Sequence, residues 1–166
     1  GYMDSKASLL LFSGAFGAGK TIVLSAKVLN LSLDYPENFG LICRKVRATL
    51  GQTTLKTFLD RVCPQELIAD YNKSEGLVTL VNGSQILFGG LDDPLKLGSL
   101  ELGWAGIDEA IETTEDDWKM VEGRLRLGGT GEVVDWVVMM RRFDQELLFD
   151  RLAASGRLTR PKHWLE

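Results

Sequence analysis

Eight residues limit the possible fold of this chain more than any others: Gly14-Ala15-Phe16-Gly17-Ala18-Gly19-Lys20-Thr21. A short apolar run, Ala7 to Ser13, leads into them, and Ile22 to Leu31 follows with helix-like spacing. Strand, glycine-rich turn and helix in that order match G-x-x-x-x-G-K-[ST] at every defined position. The glycines let the backbone curl until successive N–H groups face phosphate oxygens, and the helix start adds its positive end. In such a loop Lys20 reaches the β- and γ-phosphates and Thr21 offers a hydroxyl to Mg²⁺. A glycine-rich loop of another α/β protein is the plain alternative. The two flanks favour a phosphate cradle over residues 14–21, and with it a nucleotide-binding sheet.

The rest of the chain fits one such domain. Its 166 residues are 45% apolar and 25% charged, an ordinary globular balance. The net charge of −4 draws it neither to nucleic acid nor to an anionic membrane, so any DNA contact must come from a local patch. No apolar run approaches the roughly 20 residues of a membrane span, and the start carries no signal-peptide pattern. Cys43 and Cys63 lack metal-ligand spacing and read as buried thiols in a reducing compartment.

Taken in order, Phe39-Gly40-Leu41-Ile42-Cys43 is a second buried strand, and residues 49–62 show helical spacing closed by Pro64. Leu77 to Val81, Asn82-Gly83 and Ser84 to Phe88 form a β-hairpin. A short helical piece around Leu95 to Ser99 precedes a third parallel-type strand, Leu102 to Ile107. Thr113 or Thr114 caps a helix running through Glu122. Val133 to Met140 is a fourth strand, ending at Arg141-Arg142, and Gln145 to Ala154 a helix. The expected fold is therefore α/β, a P-loop NTPase-like three-layer sandwich whose mostly parallel sheet has an inserted hairpin.

An apolar strand that ends in Asp108-Glu109 supplies the second half of a nucleotide site, because parallel strands deliver their carboxyl ends to one crevice. Asp108 joins Thr21 in the Mg²⁺ shell, and Glu109 orients and deprotonates the water that attacks the γ-phosphate of ATP. Glu112, Glu115, Asp116 and Asp117 read as the solvated start of a helix. A cation for the developing charge is sought among Arg44, Lys45, Arg47, Lys96, Arg124 and Arg126, since Phe16 leaves the loop without an arginine. Arg44, Lys45, Arg47, Lys56 and Arg61 together make the most plausible patch for a DNA backbone. The four tryptophans read as packing, and His163 as structural or exposed.

These residues resemble the ATPase domain of tailed-phage terminase large subunits. The resemblance runs over about residues 8 to 127: the loop 14–21, Arg44-Lys45-Val46-Arg47, the Asn82-Gly83 hairpin, Gly90-Leu91-Asp92-Asp93-Pro94, Ala105-Gly106-Ile107-Asp108-Glu109-Ala110 and Gly123-Arg124-Leu125-Arg126. It implies a motor ATPase that drives double-stranded DNA into a procapsid, in the cytoplasm of the infected bacterial host. It also implies a homo-oligomeric ring, with portal and small terminase as partners and a neighbour's cation completing each site. Lys20, Thr21, Asp108 and Glu109 carry over position by position, with Arg44 or Lys96 as the activating cation.

The chain departs from that family in three ways. Only 13 residues precede Gly14, so residues 1–166 are expected to be a single ATPase domain without the family's upstream adenine-contacting segment or its following nuclease domain. The strand after Asp108-Glu109 ends in Arg141-Arg142, where a small polar coupling motif is expected. Residues of about 123 to 158 resemble instead a phosphotransferase-like domain of bacterial AAA-ATPase fusion proteins, which makes the chain read as composite. A nucleotide kinase or phosphotransferase, and a non-catalytic nucleotide-binding scaffold, stand as alternative functions. Glu109 discriminates, because a hydrolase needs that base and a kinase needs an acceptor pocket.

Overall fold

The computed structural model describes residues 9–14, 18–125 and 136–142. The apolar run before the loop is β1 (Leu9–Gly14), and the helix after it, α1 (Lys20–Asp34), is longer than its apolar spacing alone predicts. β2 (Phe39–Arg44) follows, then a helical stretch that opens as α2 (Arg47–Leu50). That stretch widens into π-helical turns at Gly51–Leu55 and Phe58–Val62 where a plain helix is expected. Gly51, Thr53, Thr54 and Thr57 are weak α-formers, so packing decides the local pitch. β3 (Ile68–Asn72), β4 (Leu77–Leu80) and β5 (Gln85–Gly90) come next. After them stand α3 (Pro94–Leu97), β6 (Trp104–Ile107), α4 (Glu115–Glu122) and β7 (Trp136–Arg142).

The strands form one seven-stranded sheet in the order β1-β7-β6-β2-β5-β4-β3. The first five run parallel, and β4 and β3 are antiparallel additions at one edge. The hairpin read from Asn82-Gly83 is β4–β5, and β3, absent from the sequence reading, extends it. Residues alternate between two cores. Ile42, Ile86, Phe88 and Trp104 pack with Leu24 and Val28 of α1 and with Leu50 and Phe58. Leu41, Cys43, Leu87, Ala105 and Ile107 pack on the other face with Leu97 and Val121. Period-two alternation in strands covered by helices on both faces gives the three layers.

Three contacts lock the sheet to its neighbours. Gly40 pairs with Trp104 across β2–β6, and a Cβ on Gly40 would stand 2.0 Å from the indole, so the fully buried ring lies where a side chain would be. The hairpin turn closes the end of α1: Asn82 Nδ2 and Ser84 Oγ both donate to the Ser32 carbonyl at 2.8 Å, and the single Ser84 hydroxyl proton is shared with the Tyr35 carbonyl at 3.1 Å. Asp92 of the Gly90-to-Pro94 turn accepts the Arg47 N–H at 3.3 Å, capping α2. The helix expected at Gln145 to Ala154, the tail and His163 lie outside the described residues.

Candidate nucleotide site

On the loop side, Gly14 closes β1, and Ala15, Phe16 and Gly17 lie outside the described residues. Gly19 adopts φ 73°, ψ 17°, and a Cβ added there would meet nothing within 4 Å, so conformation rather than room calls for glycine. Its carbonyl accepts the Val23 N–H at 3.0 Å and so starts α1. Gly19 has no side chain to cap the helix, and no acidic residue stands in the first turn. The amino end of a 15-residue helix thus keeps its positive potential at the sheet's carboxyl edge. Lys20 is buried at the first helical position, and Thr21 beside it is partly exposed.

On the acidic side, the Asp108 N–H donates to the Cys43 carbonyl at 2.8 Å, adding one bond beyond the β2–β6 ladder. Asp108 is only 2% exposed. Its Oδ2 accepts the Thr54 hydroxyl at 2.6 Å, and its Oδ1 accepts the Glu109 N–H at 3.1 Å. Glu109 itself turns at φ 52°, ψ 49°, a left-handed conformation that costs a non-glycine residue about 1–2 kcal/mol. Strain of this kind concentrates at functional sites. Burial pushes the neighbouring Cys43 thiol far up, with the charges of Asp117 and Asp108 adding to the effect, so it stays neutral. Cys63 is buried and free as well, and its thiol is also raised, by burial first and then by Glu66.

The sheet brings these two sides together. Leu11, Met139, Ile107 and Cys43 stand abreast in register, so β1 and β6 end at the same edge with β7 between them. Two strand spacings separate the β1 and β6 backbones by about 10 Å. Arg141 and Arg142 are abreast of Ser13 and Gly14. The strand between the loop and the acidic pair therefore carries two arginines where the family resemblance implies a small polar motif.

The cations sort differently from the sequence reading. Lys45 Nζ donates to both Asp117 carboxylate oxygens, at 2.8 and 2.6 Å. Asp117 is buried as well as capping α4 in a reciprocal capping box with Thr114, so it is not a solvated helix start, although Glu115 and Asp116 are exposed as expected. Burial acts to raise the Asp117 carboxyl, but hydrogen bonds from Lys45 and Thr114, with the Lys45 charge, hold it below its ordinary value. Arg47 donates to the Ser74 and Glu75 carbonyls at 2.8 and 2.9 Å. Arg44 ends β2, with Nε 3.5 Å from Glu112 Oε2 and Nη1 donating to Thr53 Oγ1 at 3.4 Å. Three of the five cations expected to grip DNA are thus engaged within the chain, which leaves Lys56 and Arg61 exposed. Arg124 Nε is buried without a partner among the described residues. The side chain of Lys96 and all of Arg126 lie outside them.

Among the described residues no three His, Cys, Asp or Glu side chains are grouped to hold a metal. One carboxylate and one hydroxyl, Asp108 and Thr21, are nonetheless a donor set that suits Mg²⁺, which takes one or two protein oxygens and completes its shell with phosphate and water. Sequence reasoning missed Thr54, whose hydroxyl sits on that carboxylate; its only signal is a polar residue within the apolar spacing of residues 50–58.

Known proteins agree with this architecture. The chain is 30% identical over 124 residues to the PBSX phage terminase large subunit of Bacillus subtilis (strain 168), covering 68% of this chain and 27% of that protein. The large terminase of a thermophilic bacteriophage shares the fold at a TM-score of 0.69 with 15% identity, over 90% of this chain and 39% of that one. That same terminase is also known in complex with ADP and with ATP-γ-S. The large terminase ATPase domain of Thermus phage P74-26 matches at a TM-score of 0.65 and 15% identity, over 83% of this chain and 61% of that one. The chain thus spans well under half the length of the first two of these relatives. The phage terminase large subunit family model matches residues 6–140, which takes in most of β7 together with the loop and the acidic pair. With that match over most of its length, the chain belongs to the phage terminase large subunit family.

Proposed function

We propose that this chain binds Mg·ATP and hydrolyses it as the motor part of a machine that packages double-stranded viral DNA. The observation that carries this reading is the sheet order β1-β7-β6, which ends the loop strand and the Asp108 strand at one edge. The amides of residues 14–21 and the start of α1 bind the phosphates, and Lys20 adds its charge at the β- and γ-phosphates. Thr21 and Asp108 hold Mg²⁺, which when bound neutralises charge on the phosphate oxygens. Glu109 orients the attacking water and takes its proton. Arg44 is the cation we assign to the developing charge. It ends β2 beside the Asp108 strand, and its partner Glu112 is 47% exposed, so that ion pair can open to let the guanidinium turn.

DNA enters this reading through its backbone, with the exposed Lys56 and Arg61 as contacts. A ring of copies, the portal and the small terminase would complete the machine, working in the cytoplasm of the infected bacterium. Among the described residues no helix is long and apolar enough to cross a membrane. The test is ATP turnover with and without double-stranded DNA, in wild type and Glu109→Gln. Turnover that DNA stimulates and the variant loses by at least about 100-fold supports the motor. Tight ATP binding without turnover in wild type contradicts it in favour of a scaffold, and phosphate transferred to an added nucleotide contradicts it in favour of a kinase.

A further inference from the structure

Thr54 sits in an unusual place for a hydroxyl. Leu50, Thr54 and Phe58 are spaced by four along the helical stretch after β2, and all three are fully buried, at 1%, 0% and 0% exposure. They form one inward stripe with Thr54 at its centre. A threonine there has a local outlet, the carbonyl four residues earlier, and its neighbour Thr53 uses that outlet by donating to the Thr49 carbonyl at 2.8 Å. Thr54 does not. Its hydroxyl donates instead to Asp108 Oδ2, 54 residues away, at 2.6 Å, the short distance typical of an O–H donor on a charged carboxylate.

Each carboxylate oxygen of Asp108 thus has a fixed donor, Thr54 at Oδ2 and the Glu109 N–H at Oδ1. Two donors on opposite oxygens set the torsion of the carboxylate and the direction of its remaining lone pairs. At 2% exposure, water is a poor substitute for either donor. Thr54 lies within the π-helical turn Gly51–Leu55, a kind of turn frequent at functional sites.

The geometry points to Thr54 as a positioning residue that orients the Asp108 carboxylate for the Mg²⁺ of bound nucleotide. This inference rests on the nucleotide reading above. Ligating carboxylates depend on such outer hydrogen bonds, and losing one weakens metal affinity about 10–100-fold. A hydroxyl that merely filled a polar gap in the core would affect stability and leave metal affinity alone.

The test measures nucleotide affinity with and without Mn²⁺, using fluorescent ADP, in wild type, Thr54→Val, Thr54→Ser and Asp108→Asn. The ratio of the two affinities is the metal's contribution. Thr54→Val, which keeps the shape and removes the hydroxyl, is expected to lower that ratio at least about tenfold while leaving metal-free ADP affinity unchanged. Thr54→Ser is expected to restore it. If thermal melting shows that Thr54→Val does not fold, Thr54→Ala takes its place with the same expectation. A ratio within twofold of wild type in the folded variant overturns the inference, and an intact effect of Asp108→Asn then leaves the nucleotide reading standing. If Asp108→Asn also keeps the full ratio, or wild type shows no metal contribution, that reading falls and takes this one with it.

Discussion

At Glu109, backbone and side chain pull in different directions. The left-handed turn costs this residue about 1–2 kcal/mol that a glycine would not incur. Glu109→Gly is therefore expected to raise stability, by up to about 1 kcal/mol after the added freedom of the unfolded chain is discounted, while abolishing ATP turnover. Glu109→Gln keeps the strain and should melt within a few degrees of wild type. Thermal unfolding and turnover measured on the same two variants check both statements; a glycine variant less stable than wild type contradicts the strain account. Asp117 makes a prediction about pH. Its carboxyl lies below its ordinary value of 3.8 in the folded chain, so folding favours its ionised form. The stability this contributes is complete above about pH 4 and is lost as pH falls through the lower, folded value. Denaturant unfolding across that range should show a steeper acid loss in wild type than in Asp117→Asn, and equal slopes would contradict it.

Among the elements, β2 and β6 meet through Gly40 and Trp104 at van der Waals limits. Gly40→Ala places a methyl 2.0 Å from the indole and is expected to cost about 2–3 kcal/mol, read as a lowered denaturant midpoint. Ser84→Ala removes the buried hydroxyl whose shared hydrogen bond ties the hairpin to the carboxyl end of α1, and should cost about 1 kcal/mol. The hairpin itself is readable from Asn82-Gly83, as β1 and the start of α1 are from the residues around Gly14 to Thr21, and the α4 cap from the pair Thr113-Thr114, of which Thr114 serves. Local chemistry dictates each of those. β3 escapes the same reading because an edge strand exposed at Ala69 and Asp70 has no clean alternation. A signal was present all the same: Asn72 Oδ1 accepts the Ser74 N–H, the Ser74 hydroxyl and the Glu75 N–H, an Asx turn that marks the β3–β4 bend. Lys45–Asp117 and Thr54–Asp108 join residues 72 and 54 apart, and no local pattern brings such partners together before the sheet is built.

Among the described residues two apolar cores lie on either side of one sheet, and the strands that carry Gly14 and lead to Asp108 end at the same edge. The first core joins α1 to the 47–62 stretch that carries Thr54, and the second holds Cys43 and Ile107 next to Asp108. The register these cores impose is what, on the reading proposed above, lets two motifs distant in sequence act on one nucleotide. The direct measurement is a crystal structure of the chain with Mg²⁺ and ATP-γ-S. The account predicts one triphosphate in the curve of residues 14–21, with its metal bound by the Thr21 hydroxyl and by the Asp108 carboxylate, directly or through one water. An Asp108 carboxylate more than roughly 10 Å from the Thr21 hydroxyl, with no ion or water joining them, would contradict it.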